Sequence, residues 1–142
     1  DRETLYEYDQ LNRQTSETLI VSSFGGMVRE RATTSYGYDA VGNRTTVTVA
    51  GATTTTQYDK LGRVISVTEP ARDVDGSSTT AMVTPLTVME RDSFGNMVRQ
   101  IQYANGAPSS GLPVLSTDPN NPDRITLIQF DDLGRIVQTR VR

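Results

Sequence analysis

The sequence predicts an all-β protein: antiparallel hairpins in series that form one curved sheet. Three observations carry this expectation. A short turn motif recurs six times along 142 residues, the strand after each turn opens on a β-branched residue, and no stretch has convincing helical periodicity.

The clearest copies of the motif are Tyr38-Asp39-Ala40-Val41-Gly42-Asn43 and Tyr58-Asp59-Lys60-Leu61-Gly62-Arg63. Two more are Arg91-Asp92-Ser93-Phe94-Gly95-Asn96 and Phe130-Asp131-Asp132-Leu133-Gly134-Arg135. Tyr8-Asp9-Gln10-Leu11-Asn12-Arg13 carries Asn in the glycine place, and Val21-Ser22-Ser23-Phe24-Gly25-Gly26 is a decayed sixth copy. The acid sits where a type I turn favours a short acceptor that bonds its own backbone two residues on. Gly or Asn follows three residues later, the types that tolerate the left-handed backbone of a bulged hairpin loop. Between them lies a large apolar residue: Leu11, Phe24, Val41, Leu61, Phe94 or Leu133. Such a side chain inside a turn implies that the tip is buried or packed on a neighbour.

Beyond each turn the β-branched residues Thr15, Val28, Thr45, Ile65, Val98 and Val137 suit a pleated surface. Before the turn, Tyr6 with Tyr8, and Tyr36 with Tyr38, lie two apart and project from one face. Only Tyr103 among the aromatic residues falls outside the motif and the position two before it, so the repeat is expected to donate an aromatic core. Two inserts, Glu69 to Val88 and Ala104 to Arg124, hold all six prolines and are expected as loops or strand edges. The whole of 1–142 is thus one repeat segment.

Composition bounds the function. Apolar content of 35% and charged content of 22% suit a folded chain. Net charge is −3 with acids and arginines interspersed, so no basic stripe points to nucleic acid. No apolar run approaches the roughly 18 residues of a membrane helix. The chain opens on Asp1 and ends on Arg142 inside an apparent strand, so both ends read as cuts through a longer polypeptide.

Without His or Cys the common nucleophile–base pairs, thiolate metal sites and disulfides are missing. There is no G-x-S-x-G, P-loop or dinucleotide fingerprint. The expectation is no enzyme, with no catalytic, cofactor-binding or metal residues. The repeated Asp residues read as turn acceptors rather than a ligand row, and the repeated Tyr residues as sheet packing rather than a sugar-stacking ladder. Arg13, Arg44, Arg63, Arg99 and Arg135 read as partners of motif acids or as solvated side chains. Asp73-Val74-Asp75-Gly76-Ser77 opens like a calcium loop but lacks the later acid, and Asp118-Pro119-Asn120-Asn121-Pro122-Asp123 reads as a rigid loop. Asn43-Arg44-Thr45 is a glycosylation sequon, relevant only in a eukaryotic secretory setting.

The pattern Tyr-Asp-x-apolar-Gly-Arg/Asn before a strand resembles the YD repeat of Rhs proteins, shared by the B and C components of insecticidal Tc toxin complexes and by teneurins. The residues that carry it are Tyr8, Asp9, Tyr38, Asp39, Gly42, Tyr58, Asp59, Gly62, Asp92, Gly95, Phe130, Asp131 and Gly134. The resemblance implies a sheet that spirals into a large hollow shell, which in bacterial members encloses a C-terminal toxin domain. Six repeats are too few to close such a shell, so the chain would be a wall segment of a secreted or surface bacterial protein. Its partners would be further repeats or other copies through the edge strands, and an enclosed C-terminal toxin. The alternatives are a cell-surface adhesion or carbohydrate-binding module, and a self-assembling filament. The family's aspartyl self-cleavage motif is not carried over, because Gly111-Leu112 and Asp118-Pro119 occur in reverse order.

Overall fold

The computed structural model describes residues 2–22, 29–73 and 82–142, and these are all strand, turn and connection, with no helix among them. Ten antiparallel strands hydrogen-bond in chain order. The chain forms two compact units, Asp1–Thr55 and Thr56–Arg142.

The first unit contains β1 (Arg2–Tyr8), β2 (Gln14–Ser22), β3 (Arg29–Tyr38), β4 (Arg44–Val49) and the start of β5 (Ala52–Tyr58). Register places Thr18 opposite Thr33 and Thr48 opposite Thr53, and each pair shares a hydroxyl hydrogen bond, at 2.9 and 2.8 Å. Such cross-strand threonine pairs each add a few tenths of a kcal/mol, about 0.2–1, relative to alanines. By alternation Tyr6, Leu19, Tyr36 and Val47 face the other side, as the spacing of the tyrosines predicts.

β4 and β5 are joined by Ala50-Gly51, with φ of +50° and +82°. Both values positive define a type I′ turn, whose twist matches a two-residue hairpin. Nothing in the repeat motif announces this link. Alanine is a poor choice there, because its Cβ crowds the following carbonyl in the left-handed region.

The second unit continues with the end of β5, then β6 (Val64–Thr68), β7 (Leu86–Arg91), β8 (Met97–Tyr103), β9 (Arg124–Phe130) and β10 (Ile136–Val141). The first insert begins as ladder rather than loop. Glu69 N–H donates to Pro85 O at 2.9 Å, and Arg72 and Val83 exchange both backbone bonds. β7 starts at Leu86, so Leu86, Thr87 and Val88, assigned to the insert from sequence, are paired strand. The second insert is fastened by Asp123, which is only 8% exposed and accepts Ala104 N–H at 2.7 Å and Ser116 N–H at 2.8 Å. Ala107 N–H donates to Thr84 O at 2.7 Å and ties this insert to the residues before β7. Gly106 is buried with φ +67°, and any Cβ there would run into the Thr84 carbonyl. This Pro-rich stretch is therefore ordered structure, built round one carboxylate.

Among the described residues the expected aromatic core does not form. Their buried apolar members are aliphatic: Ile20 in the first unit, Leu86 and Ile101 in the second. Tyr6 and Tyr8 are 52% and 57% exposed, and the other motif aromatics on β3, β5 and β9 are half-buried. A single sheet layer buries a side chain only where a second layer covers it, and amphipathic tyrosines tolerate the uncovered positions.

Replacing the strained turn residue should strengthen the β4–β5 hairpin. Ala50→Asn is expected to raise stability by about 0.5–1 kcal/mol, read as a higher urea midpoint. An unchanged or lower midpoint would contradict the type I′ assignment.

Candidate functional site

The described motif copies all fold in the same way. Each acid closes its own hairpin through its backbone: Asp9, Asp39, Asp59, Asp92 and Asp131 donate N–H to the carbonyl four residues on, at 2.9–3.0 Å. Each acid's carbonyl accepts the N–H three residues on, from Asn12, Gly42, Gly62, Gly95 or Gly134. These residues have φ between +59° and +98°, so Asn12 does stand in for glycine.

The carboxylate completes the turn. One oxygen, Oδ1, accepts two backbone N–H groups, those of Leu11 and Arg13 for Asp9, and likewise for Asp39, Asp59, Asp92 and Asp131. The other oxygen, Oδ2, accepts the side chain four residues on. That partner is Arg13, Arg63 or Arg135 at 2.7 Å, and Asn43 or Asn96 at 2.8 and 3.0 Å. Of the sixth copy, Val21 and Ser22 are paired strand at the end of β2, so Ser22 does not take the turn place expected of it; Ser23 to Gly26 lie outside the described residues, as does the stretch from Val74 in the calcium-like sequence.

These bonds favour the ionised acid. In Asp9, Asp59 and Asp131 the backbone N–H of the arginine four residues on is the main cause, with its guanidinium adding to it. In Asp39 and Asp92 the side-chain amide of Asn43 or Asn96 leads. Partial desolvation opposes the effect, but all five carboxyls are held below their ordinary value of 3.8. A carboxylate so engaged is a poor proton donor, and three of its roughly four acceptor positions are already taken. Among the described residues no group of three or more acids is placed to hold a metal ion. The side-chain amide of Asn43 donates one of its two hydrogens to Asp39 at 2.8 Å.

Turns along one edge are laced together. Arg13 also donates to Asp39 O at 3.0 Å and stacks on the Tyr38 ring at 4.7 Å, while Tyr38 Oη donates to Gln14 O at 2.8 Å. In the second unit Arg91 takes the tyrosine's place and donates to Val64 O at 3.3 Å, the carbonyl equivalent to that of Gln14. A tyrosine and an arginine thus make the same link to the preceding hairpin. Arg13, Arg63 and Arg135 hold motif acids as expected and Arg44 is exposed, whereas Arg99 meets an acid outside the motif. Arg44 stacks on Tyr36 at 5.2 Å, and Arg99 pairs with Glu90 across the strands at 3.0 Å.

The five apolar tips among the described residues do not pack within their units. Leu11, Val41, Leu61, Phe94 and Leu133 are 71–90% exposed. The inference of burial therefore fails within these units, and only a partner outside them could cover the tips.

Three repeated features escaped the sequence reading. The β-branched residue six beyond the acid is the unpaired residue of a bulge: Thr15, Thr45, Val98 and Val137 have no opposite number where register shifts. Next to the bulge, polar side chains meet across the hairpin in Glu7–Ser16, Gln57–Ser66 and Glu90–Arg99. Five residues before every one of the five acids stands a threonine: Thr4, Thr34, Thr54, Thr87 and Thr126. Aligning the copies on the acid would have exposed the threonine and the polar positions, whereas the bulge is visible only in the strand register.

Fold and turns together define a serial β-hairpin repeat protein. No protein-family model matches the chain, and no curated protein matches it.

The stability that these acids contribute has a definite pH window. A lowered folded value means the contribution is complete above the ordinary carboxylate value and disappears as pH falls through the lowered one. Urea midpoints measured between about pH 5 and about pH 2 should therefore fall steeply towards the acid end. Asp59→Asn should lower the midpoint at neutral pH and flatten that fall; an undiminished acid dependence would assign it to other groups.

Proposed function

We propose that this chain is a wall segment of an Rhs-type β-shell, a structural sheet that encloses a C-terminal toxin or effector domain in a secreted or surface-displayed bacterial protein. The supporting observation is constancy of register. Across the β2–β3, β4–β5, β6–β7 and β8–β9 junctions, the residue seven beyond one acid pairs with the residue four before the next: Ser16 with Ser35, Thr46 with Thr55, Ser66 with Val88, Arg99 with Leu127. The connecting segments differ widely in length, so the strands and not the links set this register. A hairpin that docks identically each time can be added without limit, which is what a wall requires. The YD-type turn ties the reading to Rhs proteins, where such a sheet spirals round its cargo. With its carboxylates committed to backbone, the segment works by exclusion.

Electron microscopy of the intact polypeptide that contains this segment should show a hollow particle with protected density inside. A solid particle or an open fibre would refute the proposal.

A second reading, a glycan-binding surface module, has one observation in its favour. A cavity of about 430 Å³ opens beside Phe94, Phe130 and Asp132, pairing an exposed aromatic face with an acidic acceptor. On a glycan array this module would give saturable binding that Phe94→Ala abolishes; no binding, or binding that survives the substitution, discards this reading.

A further inference from the structure

We propose that the cavity between the Asp92 and Asp131 turns is a socket for the guanidinium of an arginine presented by another polypeptide. The inference stands apart from the wall reading, and it contends with the glycan reading for the same space.

The protein holds its own template for such a site. In the first unit Arg13, four beyond its acid, donates Nε to Asp9 Oδ2 at 2.7 Å. It also donates to Asp39 O of the next turn at 3.0 Å and lies over the Tyr38 ring at 4.7 Å. One guanidinium is thus received by the acid of its own turn, the carbonyl of the next acid and the aromatic face before that acid. The same carbonyl accepts Gly42 N–H, so it serves two donors at once. Arg63 crosses the β6–β7 junction in the same direction, since a Cβ on Gly95 would collide with its guanidinium.

At the β8–β9 junction asparagine stands where those turns have arginine, and the surroundings of the arginine remain. The register is the same, because Arg99 opposite Leu127 repeats Ser16 opposite Ser35. Carried on to the turns, it sets Asn96 against Phe130 as it sets Arg13 against Tyr38. Asn96 turns back to its own acid, donating Nδ2 to Asp92 Oδ2 at 3.0 Å, and is too short to cross. The cavity of about 430 Å³ opens there, with Asp92, Asn96, Phe130, Asp131 and Asp132 in its wall. Phe130 offers the ring. Asp131 O accepts Gly134 N–H at 2.9 Å and has a second lone pair, the one that Asp39 O gives to Arg13.

Charge selects the occupant. Asp9 and Asp59 each hold an arginine on Oδ2, whereas Asp92 holds only a neutral amide. Asp132 is exposed and takes part in no ion pair among the described residues. Two acids without a cation and an aromatic face around one space suit a positive group. A guanidinium fits better than an ammonium, because its plane can lie on the ring while its edge donates to carboxylate and carbonyl together. β8 and β9 are each paired on both sides, so the opening does not depend on where the sequence begins or ends.

Backbone-amide NMR of the 142-residue chain, titrated with the peptide acetyl-Gly-Arg-Gly-amide, should show saturable shifts confined to the Asp92 and Asp131 turns. Citrulline in place of the arginine, neutral and of similar shape, should give none. Phe130→Leu, which keeps apolar bulk but removes the ring, and Asp132→Asn should each weaken binding about two- to fivefold. Asn96→Arg returns the side chain that the other turns carry; it should abolish the response to the peptide and raise the urea midpoint. No saturable shifts, equal shifts from citrulline, or shifts that survive Asn96→Arg would overturn the proposal. Glycan binding in this cavity without any response to the arginine peptide would also overturn it, in favour of the glycan reading.

Discussion

A carboxylate that accepts two backbone N–H groups on one oxygen and a side chain on the other is the interaction on which this structure depends. It fixes five residues at once and so sets where each hairpin reverses. With the reversal fixed, the bulge six residues beyond the acid and the polar rung at the seventh follow at constant positions. The local turn thereby becomes a ruler for the whole strand pair. A one-residue slip would turn every side chain to the wrong face, and the ruler forbids it.

The constancy extends between hairpins, where chain connectivity gives no help. A two-residue link at Ala50-Gly51 and the long stretch between β8 and β9 deliver the same pairing. Side-chain matching across the junction explains this: threonine faces threonine with shared hydroxyls, and isoleucine faces isoleucine. Lacing from one turn to the next adds to it, through Tyr38 in one place and Arg91 in another. The structure tolerates that exchange because the acceptor is a backbone carbonyl, indifferent to whether a phenol or a guanidinium approaches.

The turns were legible in the sequence because their chemistry is local: acid, apolar residue and glycine lie within four positions, and each has a backbone reason. Asn12 was recognised as a glycine equivalent on that ground. The core was not legible, because burial depends on what lies over a face, and spacing reports only which residues share one. The tyrosines share faces as expected, yet Ile20, Leu86 and Ile101 are the buried apolar side chains among the described residues. The ordering role of Asp123 was also hidden, since its partners Ala104 and Ser116 contribute backbone N–H groups that carry no sequence signature. The Ala50-Gly51 turn escaped for a related reason, since alanine does not advertise a left-handed conformation.

The chain segregates its work between the two ends of its strands. Within each unit the acid turns gather at one end, repeated almost unchanged, while the links at the other end range from two residues to folded insertions. One margin acts as a hinge line whose dimensions are fixed, and the other as an open hem. New loops can be stitched into that hem, as the Asp123-anchored segment has been, without disturbing the weave beside it. A fabric of this design acquires new surface features at its loose margin while its gauge stays constant.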